Sequence, residues 1–320
     1  MSILKENRVL LAKLETTVGT PISLADADGV FCAYDVEINP NIDFQQRDQQ
    51  GGMSQLEGKT GAETCQLTFK LGLTGDGSSG KPTWAETFLP ACGLVNKTGN
   101  VYSPSSKGVG VTGGGSTSAT PRSLTMAVYE GNDGIVKQLF GATGNVKFIF
   151  AAGQIAAAEF TFMGVWSDVA NNTSLPAPNY PPQLPLSVLG ATMTVGGASV
   201  PCWNALSIDT GNSVVMRPCA TATKGVFSSI ITSRRVVGAF DPEASKTTVY
   251  DPYNNWTDGD TDAVSLALTD STDTITFAIP VMQITSVGES DRNGIVAEQI
   301  AFQACAASDA GDDELSITFS

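Results

Sequence analysis

"NVKFIFAAGQIAAAEFTF", residues 145–162, carries the reading that decides the fold. Phe148 and Phe150 stand two apart on one side of Gly153, and Phe160 and Phe162 stand two apart on the other. A period of two places such residues on one face of an extended strand, whereas a helix needs spacings of three and four. The stretch therefore reads as two strands, "NVKFIFAAG" (145–153) and "AEFTFMGV" (158–165), with the chain turning back at the glycine. The same alternation appears outward from it in "DVEINPNIDF" (35–44), "CQLTFKLGL" (65–73) and "LTMAVYEG" (124–131). The chain is predicted to be mainly β.

One helix interrupts the strands. In "PTWAETFL" (82–89), Thr83 is placed as N-cap with Glu86 three residues on, a capping box, and Trp84 and Phe88 lie four apart on one face. That aromatic pair is expected to be buried against the sheet. Nearer the N-terminus, "LLAKLETTVGT" (10–20) reads differently. Val9, Leu10, Leu11 and Leu14 would line one side of a short helix, while the β-branched Thr16, Thr17 and Val18 favour an extended chain up to a turn at Gly19. This segment is expected to be an arm whose apolar stripe is covered by something else.

Composition narrows the function classes. The chain has 320 residues, 42% of them hydrophobic, enough for a packed core. It contains no apolar run of the length that a membrane-spanning helix needs. Lys13 and Glu15 cut the N-terminal apolar stretch short and no small-residue cleavage site follows, so the protein is expected to be made and kept in a cytoplasm. The six cysteines show no C-x-x-C or metal spacing and are expected to be reduced core residues. There is no histidine, which removes Ser/His and Cys/His catalysis and His-ligated zinc. A formal net charge of −14 with scattered Lys and Arg argues against wrapping on nucleic acid.

The β pattern recurs. Val36, Ile38, Phe44 and Arg47 in "VEINPNIDFQQR" return as Leu206, Ile208, Val214 and Arg217 in "LSIDTGNSVVMR", at a constant offset of 170. Gly72 has a candidate counterpart in Gly238, and the strands at 145–162 have a weaker echo in "DTITFAIPVMQ" and "NGIVAEQIAFQA". Between the halves, residues 171–187 hold five prolines in seventeen positions, a composition that excludes a helix or a central strand. The reading is a tandem duplication: residues 1–175, a Pro-rich linker at 176–187, and a diverged second module at 188–320. The second copy is expected to lack the capped helix, because "DPYNNWTDGDTD" stands in its place. Alternation is common in strands, and chance similarity of two β-rich halves is the competing reading.

Motifs that carry chemistry are weak. "GVGVTG" (108–113) matches the dinucleotide-loop string but runs into "GGSTSATP", as a flexible loop does. Asp258, Asp260 and Asp262 have the spacing that opens a calcium loop, yet Ala263 and Thr269 stand where Gly and Glu are needed, so a solvated acidic turn is the better reading. No catalytic residue, cofactor or metal ligand is nominated.

Taken in order, "LLAKLETTVGT", "DVEINPNIDFQQRD", "KPTWAETFLPACGL" and "FIFAAGQIAAAEFTF" resemble a phage tail tube protein, the major tail protein of long, non-contractile (siphovirus) tails. The resemblance covers most of residues 9–180 and continues more faintly through "ALSIDTGNSVVMR". It implies β-sandwich or half-barrel modules with a flanking helix, whose rings stack into a tube that delivers DNA to the host. It also implies that the arm and the loop at 45–63 reach the adjacent ring, which assigns Leu10, Leu11, Leu14, Thr16, Thr17, Gln49, Gln50, Gly51, Gly52, Met53 and Leu56 to contacts between subunits. The implied partners are further copies of the chain and the tail tip, tape measure and tail terminator proteins, with DNA passing without specific binding and no membrane. Because rings of this family have six modules, a two-module chain implies a trimeric ring with pseudo-sixfold symmetry.

Residues 1–178 hold 12 basic and 16 acidic side chains and residues 179–320 hold 6 and 16, so the channel is expected to be acidic, although the same excess could sit outside for solubility. The alternative function is another virion β protein, a tail-surface or capsid-decoration module. An enzyme ranks third and is not expected.

Overall fold

The computed structural model describes residues 7–48, 51–106, 122–200 and 202–320. In the first half the strands are β1 (Arg8–Leu14), β2 (Ala33–Arg47) and β3 (Leu56–Gly72), followed by helix α1 (Thr83–Phe88). Then come β4 (Leu94–Thr98), β5 (Val101–Pro104), β6 (Leu124–Glu130), β7 (Ile135–Ala151), β8 (Ala157–Trp166) and the short β9 (Ala170–Asn171). The second half opens with β10 (Thr192–Val195), β11 (Ala198–Ser199), β12 (Trp203–Asp209) and β13 (Ser213–Pro218). It continues with β14 (Val226–Ser233), β15 (Val237–Pro242), helix α2 (Pro252–Asp258) and β16 (Thr261–Thr269). It closes with β17 (Thr274–Arg292), β18 (Ile295–Ala304) and β19 (Ser316–Phe319). The protein is mainly β, as the alternation requires.

Among the described residues every strand pairing is antiparallel, and its order occurs twice. In the first half β1 pairs with β6, β6 with β7, β7 with β8, β8 with β3 and β3 with β2. In the second, β10 pairs with β16, β16 with β17, β17 with β18, β18 with β15 and β15 with β12. Irregularities recur as well. The register shift between Leu124/Met126 in β6–β7 returns between Asp262/Val264 in β16–β17, and the shift after Tyr34 in β2–β3 returns after Trp203 in β12–β15. A bulge bends and twists a strand at one place, so repeating its position repeats the local shape of the sheet.

Several expectations change. Residues 8–14 form a strand and no helix: β6 offers a matching edge, Leu10 and Ala12 join the hydrophobic core, and Leu11 is buried on the other face beside Gly29. A short continuous apolar run suits a buried strand as well as a helix, and here tertiary pairing decides. The stripe is thus covered within its own chain. The turn after it is held by Glu15, whose buried carboxylate accepts from Ser123, Thr125 and the backbone N–H groups of Gly19 and Gly141.

Thr83 does not cap α1. Pro82 occupies the N-cap position and Thr83 is the first helical residue, with no side-chain cap bond. Trp84 and Phe88 are nevertheless buried; Phe88 packs 5.0 Å from Phe69 and 5.2 Å from Phe160, ring centre to ring centre. The second half does possess the helix, because "DPYNNWTDG" forms α2: Asp251 accepts from the N–H of Asn254 as N-cap, Pro252 starts the helix and Gly259 closes it in the left-handed conformation. Gly238 is the counterpart of Leu67, not Gly72. It lies between Ile208 and Phe302 as Leu67 lies between Ile38 and Phe162, and a Cβ there would strike the Phe302 ring.

Residues 172–185 carry no regular structure, as the prolines demand, but the end of the segment is pinned. The Leu186 N–H donates to Leu73 O, and Ala156 N–H to Leu186 O. Replacing Phe88 by Ala is expected to lower stability by about 3–5 kcal/mol, whereas replacing the exposed Trp256 of α2 by Ala should change it by no more than about 0.5 kcal/mol. Urea unfolding of both variants checks this.

Candidate subunit interface

The halves are joined strand to strand. β12 lies antiparallel on the C-terminal part of β7, with Ala205 opposite Ala151, Leu206 opposite Phe150, Ile208 opposite Phe148 and Asp209 opposite Lys147. Backbone bonds from Ala152 to Asn204 and from Thr210 to Val146 extend the seam at both ends. Beneath it Phe277 of β17 packs 4.9 Å from Phe148 and 5.0 Å from Phe150. One sheet thus runs β2, β3, β8, β7, β12, β15, β18, β17 across both halves.

Alternation gives this sheet a buried face and an open face. On the open face Lys70, Glu159, Lys147 and Asp209 are successive cross-strand neighbours on four adjacent strands, alternating in sign. Opposite charges set directly across a ladder favour that register.

A second seam lies at the other end of the chain. β19 pairs with β17 and, on its other side, with β5 of the first half. Arg234 closes it, donating to Glu314 at 2.6 Å and Asp312 at 3.0 Å.

The hairpin β13–β14 is a small separate sheet seated on the first half. Ser229 accepts from the Thr143 N–H at 2.6 Å and donates to Gly141 O at 3.0 Å, and Lys224 pairs with Glu63 and Asp168 at 2.7 Å each. Its counterpart by chain order is the distal part of the β2–β3 hairpin. That part stands free, with Ile42, Phe44 and Met53 exposed.

The sequence matches the family model for phage tail tube protein over residues 6–319. The chain belongs to that family. It is a structural component of the virion tail. No curated protein matches it. No helix among the described residues is long and apolar enough to cross a membrane.

In this tail tube protein the residues assigned to subunit contacts fall into separate groups. Leu10 and Leu11 are buried in β1 and Leu14 is half-buried at its end. Thr16 and Thr17 are exposed in the turn after it. Gly51, Gly52 and Met53 are exposed between β2 and β3, and Leu56 is half-buried at the start of β3. Gln49 and Gln50 lie outside the described residues, as does "GVGVTG". Sequence reading missed β12 as a seam strand; the switch from charged positions in "DVEIN" to Ala205 and Ser207 in "ALSID" was the available signal.

Asp258 ends α2, while Asp262 lies in β16 and accepts from Asn255. Among the described residues no group of three or more His, Cys, Asp or Glu side chains is arranged to hold a metal ion. All six cysteines are unpaired, and burial pushes the Cys65 thiol up to about 12.

An acidic corner lies beside β17. Glu298 stands opposite Glu289 across β17–β18 and is 6% exposed. Burial, then Asp251 and Glu289, raise its carboxyl above the usual range. The Tyr250 hydroxyl, also pushed up by burial and by Asp262 and Glu298, finds no hydrogen-bond partner among the described residues. A carboxyl that holds its proton more tightly in the folded than in the unfolded chain makes the fold less stable as pH rises through the ordinary carboxylate range and up to the raised value. The deficit persists at neutral pH. Glu298→Gln should therefore raise the melting temperature at pH 7, with the gain vanishing below about pH 4. Thermal melts at the two pH values check it.

Proposed function

We propose that the protein is the tube-forming subunit of a long, non-contractile tail. Residues 1–175 and 188–320 are two copies of one module joined by the Pro-rich 176–187 segment. Three chains close a ring of six modules, and stacked rings enclose the channel for DNA delivery. The carrying observation is the pairing order that occurs twice with two register shifts repeated at matching places.

Exposed segments supply the contacts between rings: Thr16 and Thr17 after β1, and Gly51, Gly52, Met53 and Leu56 in the β2–β3 hairpin. The open face of the long sheet lines the channel. Lys70 and Lys147 on it are each flanked by acid, Lys70 by Asp35 and Glu159, and Lys147 by Glu159 and Asp209. With a net charge of −14, such a wall repels phosphate, so DNA slides. The tube ends on tail tip and tail terminator proteins and encloses the tape measure protein during assembly.

Electron microscopy of the purified protein over a concentration series, with end-on views classified, tests this reading. Stacked hollow rings of three chains and six similar lobes are expected. Six whole chains per ring would overturn the duplication while keeping the tube, and discrete particles that never stack would favour a tail-surface or capsid-decoration role.

A further inference from the structure

The carboxylates of Glu289 and Glu298 stand where the other half has apolar side chains. Phe162 lies between Leu67 and Gly144, and Phe302 between Gly238 and Ile284, so the two phenylalanines hold matching places in β8 and β18. Four residues back along each strand, Ala158 faces Phe148 and Glu298 faces Glu289. Glu298 thus takes the place of Ala158, and Glu289 that of Phe148. Like charges set directly across a ladder repel. Glu298 is buried, and among the described residues neither carboxylate receives a hydrogen bond or an ion pair. The Tyr250 hydroxyl, close enough to Glu298 to feel its charge, is buried and unpartnered among the described residues as well. A carboxylate pair enclosed in this way lacks a cation.

The first half shows the opposite exchange. The register shift shared by β6–β7 and β16–β17 sets Leu139 level with Ile279, so two residues back Lys137 matches Phe277, and on the neighbouring strand Glu130 matches Leu268. Ala12 matches Val195, which brings Arg8 onto Ala191. Three apolar positions of one half are therefore ionic in the other. Arg8 and Lys137 share the single buried carboxylate of Glu130, at 2.7 and 2.9 Å, and the Arg8 Nε has no hydrogen-bond partner among the described residues. One positive charge is in surplus.

Inside the chain the two places meet, because Phe277 of the second half packs 4.9 Å from Phe148 of the first. A second copy docked as the second half docks on the first brings Lys137 to the place of Phe277 and Glu289 to that of Phe148. We propose that the Glu289–Glu298 pair is the seat of the Lys137 ammonium of a second copy, so that the joint between chains is an ion cluster where the joint within the chain is aromatic. This rests on the two-module tube reading above. The same correspondence covers the exposed face of α2. Trp84, the second residue of α1, packs 5.8 Å from Phe319 of β19, and Asn171 of β9 matches Phe319 because it faces Ile135 as Phe319 faces Ile275. Tyr253, the second residue of α2, then lies against β9 of the second copy, and it and Val169 beside β9 are both exposed in the single chain. An ionic seat has a physical advantage at this position. The free subunit presents charge to solvent where phenylalanines would form a sticky patch.

Charge exchange tests the seat, read as the protein concentration at which half the chains are in rings by sedimentation and electron microscopy. Glu289→Lys and Lys137→Glu, each alone, should raise that concentration about tenfold or more, because each sets like charges against one another. Combined, they should return it to within about threefold of the unaltered protein. Thermal melts of the unassembled variants accompany these measurements, since Lys137→Glu also meets Glu130 in its own chain. Glu298→Gln gives a reading that does not depend on that variant. It should raise the melting temperature of the free subunit at pH 7 and also raise the half-assembly concentration, opposite effects that a purely structural role would not produce. Rings that form at unaltered concentration with Glu289→Lys or Glu298→Gln, or a folded double variant that restores nothing, would overturn the seat and leave the tube reading intact. An unaltered protein that forms no rings would overturn the tube reading, and the seat with it.

Discussion

A strand edge must pair, be blunted or be covered, because its N–H and C=O groups otherwise face solvent as a template for another chain. The structure turns on one such pairing, the seam of β12 on β7. Because β7 extends past β6, its last five residues are free to take a strand from the other half. That join aligns both buried faces into a single hydrophobic core in which Phe148, Phe150, Leu206, Ile208 and Phe277 meet. It also carries the row Lys70, Glu159, Lys147, Asp209 across the boundary, which disfavours a slipped register.

The halves share ladders and differ in what surrounds them. α1 is packed under an aromatic cluster, while α2 keeps Tyr253 and Trp256 largely exposed. The first half has the extra pair β4–β5, and this is what β19 joins to form the second seam. The β13–β14 hairpin is broken away from β12–β15 and folded onto the first half, whereas β2 and β3 run on as one hairpin past the part of β3 that β8 pairs. These differences follow from position. One half has a covalent neighbour to lean on, and the other presents its equivalent surfaces to solvent.

Much of the fold was legible in sequence because strand alternation is a local property. The pairs at 145–162 and 65–73, the burial of Trp84 and Phe88, and the irregular proline segment follow from spacing and backbone restriction. The apolar stripe of Val9, Leu10, Leu11 and Leu14 suits one side of a short helix as well as a buried strand, and only the edge of β6 makes it a strand. The helix α2 is hard to see in sequence because its seven residues include two asparagines and its aromatic pair, Tyr253 and Trp256, stays exposed, so its caps are its clearest sign. Among the contact residues, Met53 stands exposed where a mobile polar loop suggested it, but Leu10 and Leu11 are internal.

The sequence by itself determined the class of fold, the irregular course of the proline-rich segment, and the absence of histidine chemistry, because each depends on residue type and short-range spacing. It also carried enough ordered similarity to point to a tail tube. Only the tertiary structure decided which strands stand beside which, that the second helix exists, and that β2 and the end of β17 each have an edge with no partner among the described strands. Those facts depend on contacts between residues far apart in the chain, and no local pattern encodes which of several similar strand edges will be left without a partner.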